Sequence, residues 1–218
     1  MSNMVSVSNG ASQGATTSVE RVVEFLVPLV RPGALPSVVL IGGCARTGKT
    51  WLANAICECM RRRDLPACRI PLDAWLIGID ERPPQSTVIE RYECRSIIHA
   101  VHELTRRRPV YPPVYDPVTR RRVASRTTEP LQVTSGLLLV DGVIALALPE
   151  LRSLAAVHIF VSAPDRVRLK RLQEFYRVVK GLAVDADAII QERDKEEVPF
   201  VMQTKQWADL FFETKDEA

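Results

Sequence analysis

An apolar segment that leads directly into a glycine-rich motif is the feature that most constrains this chain. Residues 38–42 read Val-Val-Leu-Ile-Gly, and residues 43–50 read Gly-Cys-Ala-Arg-Thr-Gly-Lys-Thr, which fits the pattern GxxxxGK[ST]. A helical stretch, residues 51–60, follows the motif. A strand, a phosphate-binding loop and a helix in this order are the context that a P-loop requires, so the sequence predicts a site for ATP or GTP.

Each residue type in the motif meets a physical need of phosphate binding. Gly43 and Gly48 permit backbone conformations and close approaches that a Cβ would block, so successive N–H groups can point at the β-phosphate. Lys49 supplies a point charge to the β and γ oxygens, and Thr50 supplies a hydroxyl for Mg²⁺. The start of the helix adds its positive dipole end. The alternative is a Gly-rich turn that fits the pattern by chance. The residues expected to bind the nucleotide are Gly43, Cys44, Ala45, Arg46, Thr47, Gly48, Lys49 and Thr50.

Two aspartates follow predicted strands farther along the chain. A short strand over 67–72 places Asp73 at its C-terminal end, and open parallel sheets bind ligands at that edge, so Asp73 is expected to point toward the phosphates. The apolar run over 137–140 ends in Asp141, as a buried parallel strand with a Walker B carboxylate does. We expect Asp141 to hold Mg²⁺ through water. The alternative for Asp141 is a strand-ending residue that merely opens a turn before Gly142.

Strands and helices alternate along the chain. Ser18 is expected to cap a first helix, and Thr87 with Glu90 forms a capping box that predicts a long helix to about Arg108. Further strands are predicted over 155–161 and 207–212. Because the alternation begins with strand, P-loop and helix, we expect a three-layer α/β fold with a mostly parallel sheet.

A basic helix is predicted to begin at Pro164. Basic residues on a mobile helix near an ATP site often close over the phosphates as a lid, whereas a solvated helix face is the plainer interpretation. The basic residues on this helix are Arg166, Arg168, Lys170, Arg171 and Arg177.

The composition is that of one globular domain. The chain has 218 residues, of which 46% are hydrophobic and 25% charged. Residues 1–17 are polar and lack the features of a signal peptide, so we expect a flexible tail followed by a single domain over 18–218.

Charge and cysteine usage bear on the partners and the compartment. The net charge of +3 is too small to argue for nucleic acid, and no apolar run approaches the length of a membrane span. Five scattered cysteines favour reduced thiols and a cytoplasmic location. The sequence leaves the oligomeric state open, with a homo-oligomer as one option.

The order of several motifs resembles the uridine kinase and phosphoribulokinase group of P-loop kinases. The resemblance spans about residues 37–212 and rests on GGCARTGKT, a strand ending in Leu72-Asp73, PPVYDPVTRRR, LLLVDGVIAL, IFVSAPDRVRLKR and TKQWAD. It implies an ATP- and Mg²⁺-dependent kinase that phosphorylates a hydroxyl of a small molecule.

The resemblance also implies roles for individual residues. Lys49 and Thr50 would contact the phosphates and Mg²⁺, and Asp73 would take the proton from the acceptor hydroxyl. Tyr115 and Asp116 form the family's YD pair in the substrate loop, where Tyr115 would pack on or bond the acceptor. Arg122 falls where the family has a substrate-loop arginine, and Arg168 and Arg171 fall on lid arginines that clamp the transferring phosphoryl group.

Departures from the family pattern leave the acceptor open. Arg120 stands where uridine kinases have a substrate-binding His, and Asp141 stands where they have Glu. The leading expectation is a nucleoside or sugar-like acceptor. A phosphorylated sugar, as in phosphoribulokinase, is the first alternative, and a P-loop ATPase or switch that acts through a protein partner is the second.

Overall fold

A five-stranded parallel sheet forms the centre of the protein. We describe it from a computed structural model, which covers residues 18–123, 129–179 and 186–215. The sheet contains β1 (Ser37–Gly42), β2 (Ala67–Pro71), β5 (Leu137–Asp141), β6 (Ala155–Ser162) and β7 (Leu210–Glu213) in the order β2-β5-β1-β6-β7. Every adjacent pair is parallel. A two-stranded antiparallel hairpin, β3 (Tyr115–Asp116) and β4 (Arg121–Arg122), lies outside this sheet.

Six helices accompany the strands in the described part of the chain. They are α1 (Val19–Leu26), α2 (Lys49–Arg61), α3 (Cys94–Thr105), α4 (Pro149–Leu154), α5 (Asp165–Glu174) and α6 (Ala186–Gln203). A π-helical turn, Phe175–Val179, extends α5. None of the helices within the described ranges has the length and apolar character that a membrane span needs.

The two faces of the sheet bury different sets of side chains. On β5, Leu137 and Leu139 pack toward α1 and α2, whereas Leu138 and Val140 pack toward α3 and α4. The strand is buried along its whole length, as expected of a parallel strand covered on both faces. The predicted α/β fold with a mostly parallel sheet is therefore confirmed.

The predicted long helix over 87–108 is wrong in its first part. The capping contacts do form, because the Thr87 N–H and hydroxyl donate to Glu90 Oε2 at 2.9 and 2.7 Å. They precede only a 3₁₀ turn, Ile89–Arg91, after which Tyr92 pairs with Leu76 as an isolated β-bridge. The helix begins at Cys94 because Tyr92, which would have continued the helix after the first turn, pairs with Leu76 instead.

Other predicted boundaries shift by a few residues. The last strand is Leu210–Glu213, and Trp207, predicted to begin it, instead ends a 3₁₀ turn, Thr204–Trp207. Ser18 caps the first helix as expected by accepting the Arg21 N–H at 3.4 Å. The predicted flexible tail, residues 1–17, lies outside the described residues.

Candidate active site

The P-loop connects the end of β1 to the start of α2 and depends on two glycines. Gly43 has a φ of +142°, and a Cβ at this position would lie 2.1 Å from the carbonyl oxygen of Val161 on β6. Gly48 caps α2 with a φ of +95°, and its Cβ would lie 2.6 Å from Cγ2 of Thr214. A side chain at Gly43 would displace strand backbone, and one at Gly48 would adopt a strained φ. The motif is thus fixed by close packing against β6 and the segment after β7.

Lys49 lies buried at the base of this loop. Its Nζ donates to the Cys44 carbonyl oxygen at 2.6 Å. Burial lowers the pKa of Lys49, while the charges of Asp73, Glu197 and Asp141 act in the opposite direction. The ammonium group carries three donors, so it can hold the loop and a phosphate oxygen at the same time.

Asp73 lies just beyond β2, in the 3₁₀ turn Leu72–Trp75, and its side chain is exposed in the cleft. The buried phenol of Tyr92 donates to Asp73 Oδ1 at 3.2 Å. Burial raises the pKa of Tyr92 well above its usual range, and the neighbouring Asp73 adds to the shift. Tyr92 therefore keeps its proton and orients the carboxylate as a hydrogen-bond donor.

Thr50 and Asp141 meet where α2 crosses the end of β5. The Thr50 hydroxyl donates to Asp141 Oδ2 at 3.1 Å. The guanidinium of Arg69, on β2, binds the same carboxylate through both oxygens, at 2.6 Å to Oδ1 and 3.0 Å to Oδ2. Its Nη2 also donates to Thr50 Oγ1 at 3.2 Å. Asp141 is thus a buried carboxylate neutralised by a strand neighbour.

The oxygen atoms of Thr50 and Asp141 fit a magnesium ion. Mg²⁺ prefers hard oxygen ligands and is commonly held by one or two protein oxygens together with water and substrate phosphates. Within the described ranges, no group of three or more His, Cys, Asp or Glu side chains could hold a metal alone. A metal bound here would complete its coordination with water and with phosphate oxygens of a nucleotide.

Glu197 carries a carboxylate from α6 to the P-loop. Its Oε1 accepts the Ala45 N–H at 2.8 Å, and its Oε2 accepts Nε of Arg193 at 2.7 Å. Only 1% of this residue is exposed. Burial raises its pKa, but Arg193 and the Ala45 N–H outweigh burial, so the pKa of Glu197 lies below the usual range. This carboxylate fastens α6 to the phosphate-binding loop.

The basic helix α5 approaches the P-loop through two contacts. The Arg46 guanidinium stacks 3.7 Å from the ring centre of Phe175, just beyond α5. Arg171 donates to Thr214 Oγ1 at 3.0 Å, and that hydroxyl donates to the Thr47 carbonyl oxygen at 2.9 Å. The P-loop, α5 and the segment after β7 are therefore connected through side chains.

The hairpin β3–β4 packs beside the segment that follows Asp73. Asp116 accepts the Val118 N–H at 2.8 Å and so shapes the turn between the two strands. Arg120 has a φ of +59°, and its carbonyl oxygen accepts the Ile79 N–H at 2.9 Å. The Tyr115 hydroxyl accepts Nη2 of Arg82 at 3.3 Å.

One cleft of about 1950 Å³ joins the P-loop to this hairpin. A drug-sized ligand usually occupies a pocket of roughly 300–1,000 Å³, so the cleft has room for two small molecules side by side. The predicted site residues that line it are Ala45, Arg46, Gly48, Lys49, Thr50, Asp73, Tyr115, Arg120, Asp141 and Arg171.

Several known kinases are similar to this chain. No protein-family model matches the chain. A uridine kinase from Latilactobacillus sakei subsp. sakei (strain 23K) is 25% identical over 187 residues, covering 80% of this chain and 84% of the relative. A provisionally named fructose transport system kinase from Silicibacter sp. TM1040 has a TM-score of 0.70 at 15% identity, over 90% of this chain and 99% of that chain. Phosphoribulokinase from Rhodobacter spheroides has a TM-score of 0.59 at 16% identity, over 80% of this chain and 68% of that chain.

The chain is similar to the uridine kinase and phosphoribulokinase-like group of P-loop kinases, as the order of its motifs indicates. It is a kinase, a phosphotransferase whose acceptor is a hydroxyl group. In this kinase the P-loop and the two strand-ending aspartates lie at the carboxyl edge of the sheet, as the α/β topology predicts.

Three side chains that the resemblance places at the substrates do not line the cleft of the kinase. Arg122 is bound by Glu93 at 2.8 Å and by the Leu76 carbonyl oxygen at 3.1 Å, so it fastens the hairpin. Asp116 is engaged in its own turn. Arg168 is buried on α5 and paired with Asp194 of α6, which joins those two helices. Substrate contacts for these three side chains stay predictions, and their polar groups are engaged within the protein in this structure.

Gly43, Cys44 and Thr47 lie behind the cleft wall. Cys44 and Thr47 act through backbone atoms: the Cys44 carbonyl oxygen accepts Lys49 Nζ and the Thr47 hydroxyl. These residues shape the loop, whereas Lys49 and Thr50 face the ligand space.

Sequence reasoning missed four residues of the site, which are Arg69, Arg82, Tyr92 and Glu197. Arg69 left a signal in the sequence, because it is a cation inside a predicted strand. Its partner, however, depends on the pairing of β2 with β5, which sets Pro71 beside Asp141. Glu197 and Tyr92 reach the site only through tertiary contacts and left no comparable signal in the sequence.

Proposed function

We propose that this kinase transfers the γ-phosphoryl group of ATP to a hydroxyl of a small molecule, a nucleoside or sugar-like compound. The observation that carries this proposal is the common cleft of Lys49, Asp73 and the Thr50–Asp141 pair. Phosphoryl transfer needs mainly positioning and charge neutralisation, and these side chains supply both. The likeness to the uridine kinase relative supports the acceptor class.

Each side chain then has a defined task. Lys49 neutralises charge on the phosphates, and Asp73 takes the proton from the acceptor hydroxyl while Tyr92 holds its carboxylate in place. Thr50 and Asp141 would hold Mg²⁺, which supplies charge neutralisation at the phosphates when bound. Arg171 and Arg46 line the cleft and would contact the phosphates if α5 moved as a lid.

A phosphoacceptor screen tests the proposal. The purified protein is incubated with Mg²⁺ and ATP together with nucleosides, pentoses, polyols, hydroxy acids or sugar phosphates, and the formation of ADP and of a new phosphate ester is measured. We expect one class to stimulate ADP formation strongly, with one ester formed per ADP. ATP turnover that no acceptor stimulates would contradict the proposal and favour an ATPase or a switch.

Two arginines favour a second candidate, a kinase whose acceptor carries an anionic group. Arg82 and Arg120 both line the cleft at its hairpin end. In the described residues neither forms an ion pair, and Arg82 donates only to neutral oxygens, those of Ile77 and Tyr115. Burial lowers the pKa of Arg82, and the nearby Arg120 and Arg91 add to that effect. A phosphate or carboxylate on the acceptor would neutralise this pair.

Substitution of Arg120 distinguishes the two acceptor classes. If the acceptor is anionic, Arg120→His should lower kcat/KM for sugar phosphates or hydroxy acids by about 10- to 100-fold, since a hydrogen bond to a charged group is worth about 1.5–3 kcal/mol. The matched control is Arg121→His, because Arg121 pairs with Asp80 and does not line the cleft. Efficient turnover of uridine or cytidine by the wild type, unchanged in Arg120→His, would rule out the anionic acceptor.

A further inference from the structure

The side chain of Arg69 reaches the two oxygens that the proposed function assigns to a metal ion. Its Nη2 lies 3.2 Å from Thr50 Oγ1 and 3.0 Å from Asp141 Oδ2, and these two oxygens are themselves 3.1 Å apart. One nitrogen therefore occupies the notch between the proposed ligands. Its Nε, 2.6 Å from Oδ1, engages the other carboxylate oxygen.

A magnesium ion and this guanidinium cannot both occupy the notch undisturbed. Mg²⁺ sits about 2.0–2.1 Å from its ligands. Since Nη2 is 3.2 Å from Thr50 Oγ1, an ion bound directly to that oxygen, with Asp141 reached through water, would lie at most about 5.3 Å from Nη2. Two positive charges at that separation repel strongly in a partly buried site. Metal binding must therefore weaken or displace the contacts of Arg69.

The position of Arg69 at the edge of the sheet allows its guanidinium to move toward solvent. Arg69 lies on β2, an edge strand, and 24% of its side chain is exposed. The Asp141 side chain is only 3% exposed, so without a cation it would be a buried, unpaired carboxylate. Removing one partner of a buried ion pair is strongly destabilising. Arg69 can thus neutralise the Asp141 carboxylate until another cation replaces it.

We propose that Arg69 is an internal competitor for the divalent cation: it neutralises Asp141 and occupies Thr50 in the free enzyme, and it withdraws toward the sheet edge when the metal-nucleotide complex binds. This inference rests on the proposed function for the identity of the ligands. It makes Arg69 a positioning residue that sets the metal requirement of the kinase. Removal of the guanidinium should strengthen metal binding and lower the stability of the metal-free protein.

The affinity for Mn²⁺ in the presence of ADP tests the proposal without any turnover. Electron paramagnetic resonance of the free ion measures this affinity. We expect Arg69→Met to bind Mn²⁺ at least about tenfold more tightly than the wild type, because a nearby unit charge changes an equilibrium constant by that much or more. Arg69→Lys keeps the charge but loses the two-oxygen contact, so a smaller increase is expected. Arg63→Met is the control for net charge, since Arg63 pairs with Glu24 on the exposed surface.

Thermal unfolding provides the second readout. Without metal, Arg69→Met should unfold at a lower temperature than the wild type. Addition of Mn²⁺ and ADP should raise the unfolding midpoint of the variant by more than it raises that of the wild type. Equal or weaker Mn²⁺ binding in both Arg69 variants would overturn the proposal while leaving the kinase assignment intact. If the wild type binds no Mn²⁺ with ADP, the proposed metal site and this inference both fail. Should Arg69→Met not fold without metal, the Mn²⁺ affinity of Arg69→Lys decides.

Discussion

Lys49 is surrounded by three carboxylates that are held in different ways. Asp141 is bound by the Arg69 guanidinium, and Glu197 by Arg193 and a backbone N–H. Among the described residues, Asp73 forms no ion pair and is held by a neutral phenol. This difference between the three carboxylates supports Asp73 as the base.

The stability that Glu197 contributes should depend on pH. The pKa of Glu197 in the folded protein lies below its ordinary value of 4.5, so its contribution is fully present above pH 4.5 and is lost as the pH falls through the lowered value. Glu197→Gln should therefore reduce the free energy of unfolding by about 3 kcal/mol at pH 7. The difference from wild type should shrink as the pH is lowered below 4.5.

Urea unfolding at a series of pH values checks this expectation. Glu58→Gln is the matched control, because Glu58 is exposed and its pairs with Arg61 and Arg62 are screened by solvent. A Glu197→Gln variant as stable as the wild type at pH 7, or a difference that does not change with pH, would show that this carboxylate does not fasten α6 to the P-loop.

Individual residues of the site were predictable where a local motif requires them. Lys49, Thr50 and the two glycines follow from the P-loop pattern, and Asp73 and Asp141 follow from the apolar runs that precede them. Arg69 and Glu197 were not predictable, because each acts on a residue more than 70 positions away in the chain. Their partners depend on strand register and helix docking, which no local pattern specifies.

At the scale of elements, the buried strands are the most readable parts of the sequence. β1, β5 and β6 are nearly continuous apolar runs because both faces of each strand are covered. The segment over 87–108 is the clearest failure. Its capping box forms, yet Glu93 donates its N–H to the Trp75 carbonyl oxygen, and Tyr92 pairs with Leu76. Those contacts hold Tyr92 in extended backbone and Glu93 outside the helical region, so the helix begins later than the local signal indicates.

The hairpin β3–β4 illustrates the limit for substrate recognition. Its sequence shows which arginines are near the acceptor but not which of them faces the cleft. The structure separates them: Arg120 lines the cleft, Arg121 pairs with Asp80, and Arg122 binds Glu93. Adjacent residues in a short hairpin point in different directions, so a run of identical side chains serves three different purposes.

At the scale of the whole molecule, the strand order explains why the chemistry converges. β1 lies between β5 and β6, and β2 lies beyond β5, so the loops after β1, β2 and β5 emerge side by side. The P-loop, Asp73 and Asp141 occupy those three positions. The rule that ligands bind at the carboxyl edge of a parallel sheet accounts for this half of the site. We propose that residues 18–218 work as one kinase domain around this edge.

The other half of the cleft, which we propose binds the acceptor, follows no such rule. It is built from the segment after Asp73, the hairpin and α6, which are loops and helices packed onto the sheet. Their geometry depends on individual contacts such as those of Arg82, Arg91 and Arg122. This is why the nucleotide half was predictable from the sequence and the acceptor was not.

The turnover number of Asp73→Asn, measured together with its affinity for Mg²⁺-ATP, tests the central claim most directly. An amide fills the same space but cannot accept the proton of the acceptor hydroxyl, so kcat should fall by about 10²–10⁴-fold while nucleotide affinity stays near the wild-type value. Lys49→Ala should show the opposite pattern, with nucleotide binding lost, and Asp80→Asn, outside the cleft, should match the wild type in both. An Asp73→Asn enzyme with an unchanged kcat would contradict the assignment of Asp73 as the base and, with it, this account of the cleft.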